Sequence, residues 1–151
     1  MAAAGASAAL AGLVFVAVSI NVERILKLEG APDRGLQTVF LLLGVVLVSI
    51  VGLIPGQDNV ALGAELVGVG LFLTIPIGLL TRRSTPRAPA PRSWVIYRWL
   101  TSAAGTLPFI VAGATLIAET GGGLYRAVPG ALFAIAGGVA NAWALLIEIL
   151  R

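Results

Sequence analysis

Residues 81–99 read TRRSTPRAPAPRSWVIYRW, the one long polar break in an otherwise apolar chain. Arg82, Arg83, Arg87, Arg92 and Arg98 lie in it with no acidic residue among them, half of the ten basic residues of the sequence. Pro86, Pro89 and Pro91, separated by Arg and Ala, deny the stretch a continuous helix, so residues 81–96 are expected to form an extended, solvated loop. Trp94, Tyr97 and Trp99 follow at once, side chains that settle where a membrane meets water. The arginines Arg82, Arg83, Arg87 and Arg92 are therefore expected to set the topology and to meet anionic lipid headgroups.

The composition on either side of this break agrees with a lipid solvent. Hydrophobic residues make up 58% of the chain and charged ones 11%, where a soluble domain carries about 25% charged residues; the mean hydropathy is +1.00. A net charge of +3 and a pI near 10.2 do not point to nucleic acid, because the basic residues sit between apolar blocks and not along one amphipathic face. The absence of Cys and His removes disulfides, thiolate nucleophiles, histidine acid–base chemistry, haem ligation by His and ordinary zinc sites. No cofactor, no metal and no enzymatic activity are expected. The opening MAAAGASAAL carries no charged region before its apolar run, so it is expected to begin a retained helix and not a cleaved signal peptide.

A helix crossing the hydrocarbon core needs about 20 mainly apolar residues. Five blocks qualify, at 2–21, 36–54, 60–80, 97–118 and 128–150, giving an all-α integral membrane protein with a single bundle of about five spans. The first block begins with Ala, Gly and Ser and is only weakly hydrophobic in that half, which leaves an alternative of four spans plus an interfacial first helix. VERILKLEGAPDRG, residues 22–35, reads as one or two further turns of the first helix ending in a GAPDRG turn. Pro108 is expected to kink the fourth block, and residues 119–126, ETGGGLYR, form a flexible connection.

Counting Lys and Arg by side tests this scheme. Arg24, Lys27, Arg34, Arg82, Arg83, Arg87, Arg92, Arg98 and Arg151 fall on one face and Arg126 alone on the other. Cytoplasmic loops hold the excess of basic residues, so the N-terminus is expected outside and the C-terminus inside a plasma (inner) membrane.

Small residues mark where helices approach each other in lipid. Ala8, Gly12, Gly68, Gly105, Ala112, Ala134 and Gly138 are the expected contacts, with Asn141 as an interhelical hydrogen-bonding group. Ala134, Gly138, Asn141, Leu145 and Glu148 form one stripe at steps of four and three, and Arg98, Ser102, Gly105, Phe109 and Ala112 form a second with the same steps. Arg98 and Glu148 fall at the same end and are expected as neighbours, paired or bridged by water. Both packing inside one chain and a subunit interface account for the stripes.

Glu65 is the one ionisable residue well inside a span, where a carboxylate usually faces the bundle interior, an aqueous cavity or a partner. With Asp58 and Glu119 on the same outer side it could form a proton or cation site. The competing reading puts it in the headgroup layer, or protonated or hydrogen-bonded to a neighbouring helix. There is no filter-like sequence, no regular arginine run and no phosphate-binding loop.

The opening GASAALAGLVFVAVSINVERIL, with VSIVGLIPGQ further on, resembles a set of small bacterial multi-pass membrane proteins that share a GASAAL, VFVAVSIN and ERI start. The likeness covers about a third of the chain and draws attention to Ser19, Asn21, Glu23 and Arg24; it carries no activity with it. Taken together, the residues lead to a non-enzymatic membrane protein that acts through helix–helix association, as a homo-oligomer or an accessory subunit of a larger membrane complex. The alternative is a small ion channel or proton/cation transporter using Glu65.

Overall fold

A long apolar segment in lipid must pair its own backbone groups, and the local solution is the α-helix. The computed structural model describes residues 2–28, 30–83 and 92–150, and the side chains of all of these except Trp94, Glu148, Ile149 and Leu150. They form α1 (Ala2–Ile20), α2 (Val22–Lys27), α3 (Ala31–Val51), α4 (Asn59–Arg83), α5 (Arg92–Ile117) and α6 (Ala127–Leu150), with a single 3-10 turn at Gly123–Arg126. Five of these helices are long and apolar enough to cross a bilayer, and only α2 is not.

The helix ends differ from the apolar blocks for local reasons. α3 starts at Ala31, earlier than the expected 36, because Gly30 takes a left-handed φ of 77° and Pro32 occupies the first turn, where its fixed φ suits a helix start. GAPDRG is thus a turn at Gly30 followed by helix. α4 and α5, at 25 and 26 residues, measure about 37 and 39 Å at 1.5 Å per residue, longer than the roughly 30 Å hydrocarbon core. Their arginine-bearing turns therefore run on as helix into the headgroup layer. Of the expected loop, residues 81–83 and 92–96 are helical; residues 84–91, Arg87 among them, lie outside the described residues.

α1 does not run smoothly into the next turns. It breaks at Asn21 (φ −106°, ψ 17°), whose side-chain amide donates back to Ala17 O at 2.9 Å. α4 and α5 continue through Pro76 and Pro108 without interruption. The connection after α5 is more structured than the run of glycines implies. Glu119 takes φ 51° and Gly122 φ 110°, and Arg126 Nη2 donates to Gly121 O at 3.2 Å.

α3, α4, α5 and α6 form an antiparallel ring in which each packs on the next, while α1 lies outside it along α3 and scarcely touches α6. Leu41, Val45, Leu66, Leu73, Ile77, Phe109, Ala112 and Ala134 fill the centre of the ring. A smaller cluster of Ile25, Ala31 and Leu145 sits beneath α2. The closest seam joins α4 to α5: a Cβ placed on Gly63 would lie 2.7 Å from Gly113 O, and one on Gly70 would lie 3.1 Å from Ile110 N. Gly63, Leu66, Gly70, Leu73, Ile77 and Leu80 are all buried, a three–four repeat along one face of α4.

This topology gathers the starts of α3 and α5, the ends of α4 and α6, and all of α2 at one end of the bundle. Arg24, Lys27, Arg34, Arg82, Arg83, Arg92 and Arg98 belong to that basic end. Asp58, Glu65 and Glu119, with Arg126 as the only described cation, belong to the other.

Candidate functional site

At the acidic end, Asp58 and Glu65 are engaged by near neighbours, while Gln57 Oε1 is buried without a hydrogen-bond partner among the described residues. Asp58 Oδ1 accepts from the backbone N–H of Ala61 at 2.6 Å, capping the start of α4. Gln57 Nε2 donates to Glu65 Oε2 at 2.5 Å. Glu65 is exposed on the outward side of α4 and does not point into the ring. Glu119 is exposed at the end of α5, and no described hydrogen bond links it to Asp58 or Glu65. Among the described residues no three or more Asp and Glu side chains gather as a metal-binding group. The chain brings Gln57, Asp58 and Glu65 together at one rim and keeps all three outside the bundle interior.

The interior polarity lies nearer the other end. Gln37 of α3, 4% exposed, uses both amide hydrogens: Nε2 donates to Ser102 Oγ of α5 at 2.7 Å and to Thr81 Oγ1 of α4 at 3.2 Å. Thr81 in turn donates to Ile77 O at 2.7 Å and Ser102 to Arg98 O at 2.9 Å. Thr81 Oγ1 and Ser102 Oγ also lie 3.0 Å apart, so side chains from three helices share one buried hydrogen-bonded cluster. Sequence reading missed Gln37. The clue was available, since Gln37-Thr38 opens the most apolar block at the same end as Thr81 and Ser102.

Beside this knot, α3, α5 and α6 enclose a cavity of about 180 Å³ lined by Arg34, Tyr97, Arg98, Thr101 and Asn141, with Leu41, Gly137, Ala140 and Ala144 as its apolar wall. Arg98 is 9% exposed. Its carbonyl accepts from both Thr101 Oγ1 (3.0 Å) and Ser102 Oγ (2.9 Å), which fixes the backbone that carries the guanidinium. Thr38 Oγ1 donates to Arg34 O at 2.9 Å and does the same on α3. Polar residues of three helices, Arg34, Tyr97, Arg98, Thr101 and Asn141, therefore line one small space.

The expected helix contacts divide. Gly105, Ala112, Ala134 and Gly138 are buried in the seams: a Cβ on Gly105 would lie 3.4 Å from Ala134 Cα, and one on Gly138 would lie 3.0 Å from a Leu42 methyl. All five residues of the α5 stripe are buried. Asn141 lines the cavity. Ala8 is exposed, and a Cβ on Gly12 or Gly68 would meet nothing within 4 Å, so these three make no close contact within the chain. The glycines that do bring backbones together, Gly63, Gly70 and Gly113, were not singled out, although Gly63 and Gly70 stand seven residues apart around Leu66. The expected partnership of Arg98 with Glu148 lies outside the described side chains. Arg82, Arg83 and Arg92 are exposed at the basic end. Ser19 Oγ bonds back to Phe15 O at 2.8 Å, and Glu23 and Arg24 are exposed.

Fold and site define an all-helical, multi-pass membrane protein in which buried Gln37, Thr81 and Ser102 hydrogen-bond to one another. The chain matches no family model and shows no significant similarity to a curated protein or a solved structure.

Proposed function

We propose that this protein is a non-enzymatic component of the bacterial inner membrane that works by associating with other helices, as a homo-oligomer or an accessory subunit of a larger complex. The observation that carries this reading is the state of α1. Only 11% of its spanning window is buried, against 39% for α3. Its outward side holds Gly5, Ala8, Ala9 and Gly12, and a Cβ on either glycine would meet nothing within 4 Å. Such residues let a second backbone come close in lipid, where van der Waals contact is the main source of association. The basic end faces the cytoplasm in this reading, which leaves the N-terminus outside.

The first measurement is the mass of the particle in native nanodiscs, with all co-purifying chains identified. A particle larger than one 15.4 kDa chain, reduced to a monomer by the double change Gly5→Leu and Gly12→Leu, is the expected result. A wild-type monomer without companions would refute it.

One observation favours a second reading. Glu65 lies exposed about 9 Å along α4 from its start at 1.5 Å per residue, a costly place for a carboxylate facing lipid, and neighbouring copies would relieve that cost by turning it toward a shared axis. A ring of identical chains whose cation or proton flux falls in Glu65→Gln would establish this pore. Undiminished flux, or none in the wild type, would exclude it.

A further inference from the structure

We infer that the cleft between α1 and α6 holds one acyl chain of an anionic phospholipid from the leaflet at the basic end, with the headgroup on α2. The inference rests on the fold and is independent of the oligomeric reading.

The cleft is walled with hydrocarbon. Leu10, Leu13 and Ala17 of α1 and Val139, Ala142 and Leu146 of α6 line it, so whichever of their side-chain atoms face it are apolar. Its volume is about 330 Å³, about twice the ~150 Å³ of a leucine-lined cavity that stays dry and takes up benzene. α1 lies along α3 and scarcely touches α6, and Leu13, Val139, Trp143 and Leu146 of the lining are exposed. The cleft therefore opens on the flank of the bundle, where lipid is the neighbour. Left empty, its walls would forfeit their dispersion contacts on one side.

The length of the cleft selects a lipid chain over a helix. Leu10 to Asn21 covers about 16 Å of α1, and Val139 to Leu146 about 10 Å of α6, at 1.5 Å per residue. This is the depth of a single leaflet, half of the roughly 30 Å hydrocarbon core. A helix of a second copy is about 10 Å across and crosses both leaflets, so a groove for one would continue past Leu10 along the first half of α1. Residues 2–9 line no part of the cleft.

Charge selects the headgroup. The cleft ends at Asn21, where the chain passes from α1 into α2, and Ile25 of α2 packs with Leu145, which also lines the cleft. The backbone N–H of Arg24 donates to Asn21 O at 3.0 Å, so Arg24 stands about one helical turn beyond Asn21 on a neighbouring face, and Lys27 a turn further. Both are exposed, and neither has a hydrogen bond or ion pair with a described residue. Glu23 is exposed too, but two residues from Asn21 it belongs to the other side of the turn. A phosphate at the mouth of the cleft meets two cations at headgroup level while its chain descends between α1 and α6.

The test is native mass spectrometry of the full chain released from nanodiscs of equal phosphatidylglycerol and phosphatidylcholine, with thermal melting by circular dichroism on every variant. The wild type is expected to retain one phosphatidylglycerol in preference to phosphatidylcholine. Ala17→Leu combined with Ala142→Leu, which keeps every charge and fills the cleft, should remove the retention of either lipid. Arg24→Gln should lower the retention of phosphatidylglycerol about fivefold, the factor expected for one cation at a lipid surface, and leave phosphatidylcholine unchanged. Arg82→Gln combined with Arg83→Gln, exposed at the end of α4 and outside the cleft, should change neither. Arg24→Gln alters only an exposed side chain and decides the matter if the filled variant melts early. Wild-type retention in the filled variant, or in Arg24→Gln, would overturn the site, as would an equal loss in the Arg82/Arg83 variant. A lipid-free wild-type dimer that falls to a monomer when the cleft is filled would place a second copy there and overturn the lipid assignment.

Discussion

Replacing Gly113 by Ala tests the α4–α5 seam directly. The added Cβ would stand 2.5 Å from Gly63 O, 2.8 Å from Val67 N and 2.8 Å from a Val67 methyl, where ordinary contact begins at 3.4 Å. Two of these three neighbours are backbone and cannot rotate away, so α5 must retreat by about 0.9 Å, the difference between 3.4 and 2.5 Å. A gap of that size forfeits about a quarter to a half of each pair's attraction. If about 50 atom pairs along the seam, each contributing about 0.15 kcal/mol, lose a quarter of it, the cost is about 2 kcal/mol, within the roughly 1–3 kcal/mol typical of overpacking. The better helix propensity of Ala offsets about 0.5–1 kcal/mol of this, leaving a net loss of about 1–1.5 kcal/mol. Gly68→Ala, between Gly63 and Gly70 on α4 but with nothing within 4 Å of an added Cβ, gains the propensity without the clash. Reversible unfolding in mixed micelles by increasing SDS, followed by circular dichroism, compares the two. Equal stabilities for Gly113→Ala and Gly68→Ala, or a stabilised Gly113→Ala, would refute the seam.

Further outcomes follow from single side chains. Asp58→Ala removes the cap on Ala61 N–H and should lower stability by about 1 kcal/mol in the same assay, with Asp58→Asn retaining most of it. Ser7 is fully buried against α3, and its Oγ has no hydrogen-bond partner; Ser7→Ala should be neutral or slightly stabilising, since it deletes an unsatisfied polar atom, and a loss above about 1 kcal/mol would show that the hydroxyl is engaged. Gln37→Ala should be more damaging than Gln37→Leu, because Thr81 and Ser102 still donate to backbone carbonyls while only Ala leaves a void. Because the chain has no cysteine, single cysteines at Arg82 and Thr120 report topology cleanly: a membrane-impermeant maleimide on intact cells should label position 120 and spare position 82.

The five spans and the gathering of the described basic residues, Arg126 apart, at one end of the bundle were legible in the sequence because each depends on summed local quantities. A run of about 20 apolar residues in lipid becomes a helix whatever its neighbours are, and loop charges are counted without reference to packing. The α5 stripe from Arg98 to Ala112 was legible too, since its steps of four and three gather small and polar residues on one face. Helix ends were less so: Pro32 starts α3 and the arginine turns prolong α4 and α5, because hydropathy marks the lipid boundary and not the end of the hydrogen-bonded backbone.

What only the tertiary structure decided is how each helix is turned about its own axis. A leucine is equally at ease against lipid or against another helix, so the amphipathic pattern that orients a helix in water is missing here. Rotation is set by which glycines let backbones touch and by which polar groups can find one another. That is why Gly63 and Gly113 meet while Gly12 and Gly68 do not, why Glu65 faces outward, and why Gln37, Thr81 and Ser102, distant in the chain, close on each other beside the cavity of Arg34 and Arg98.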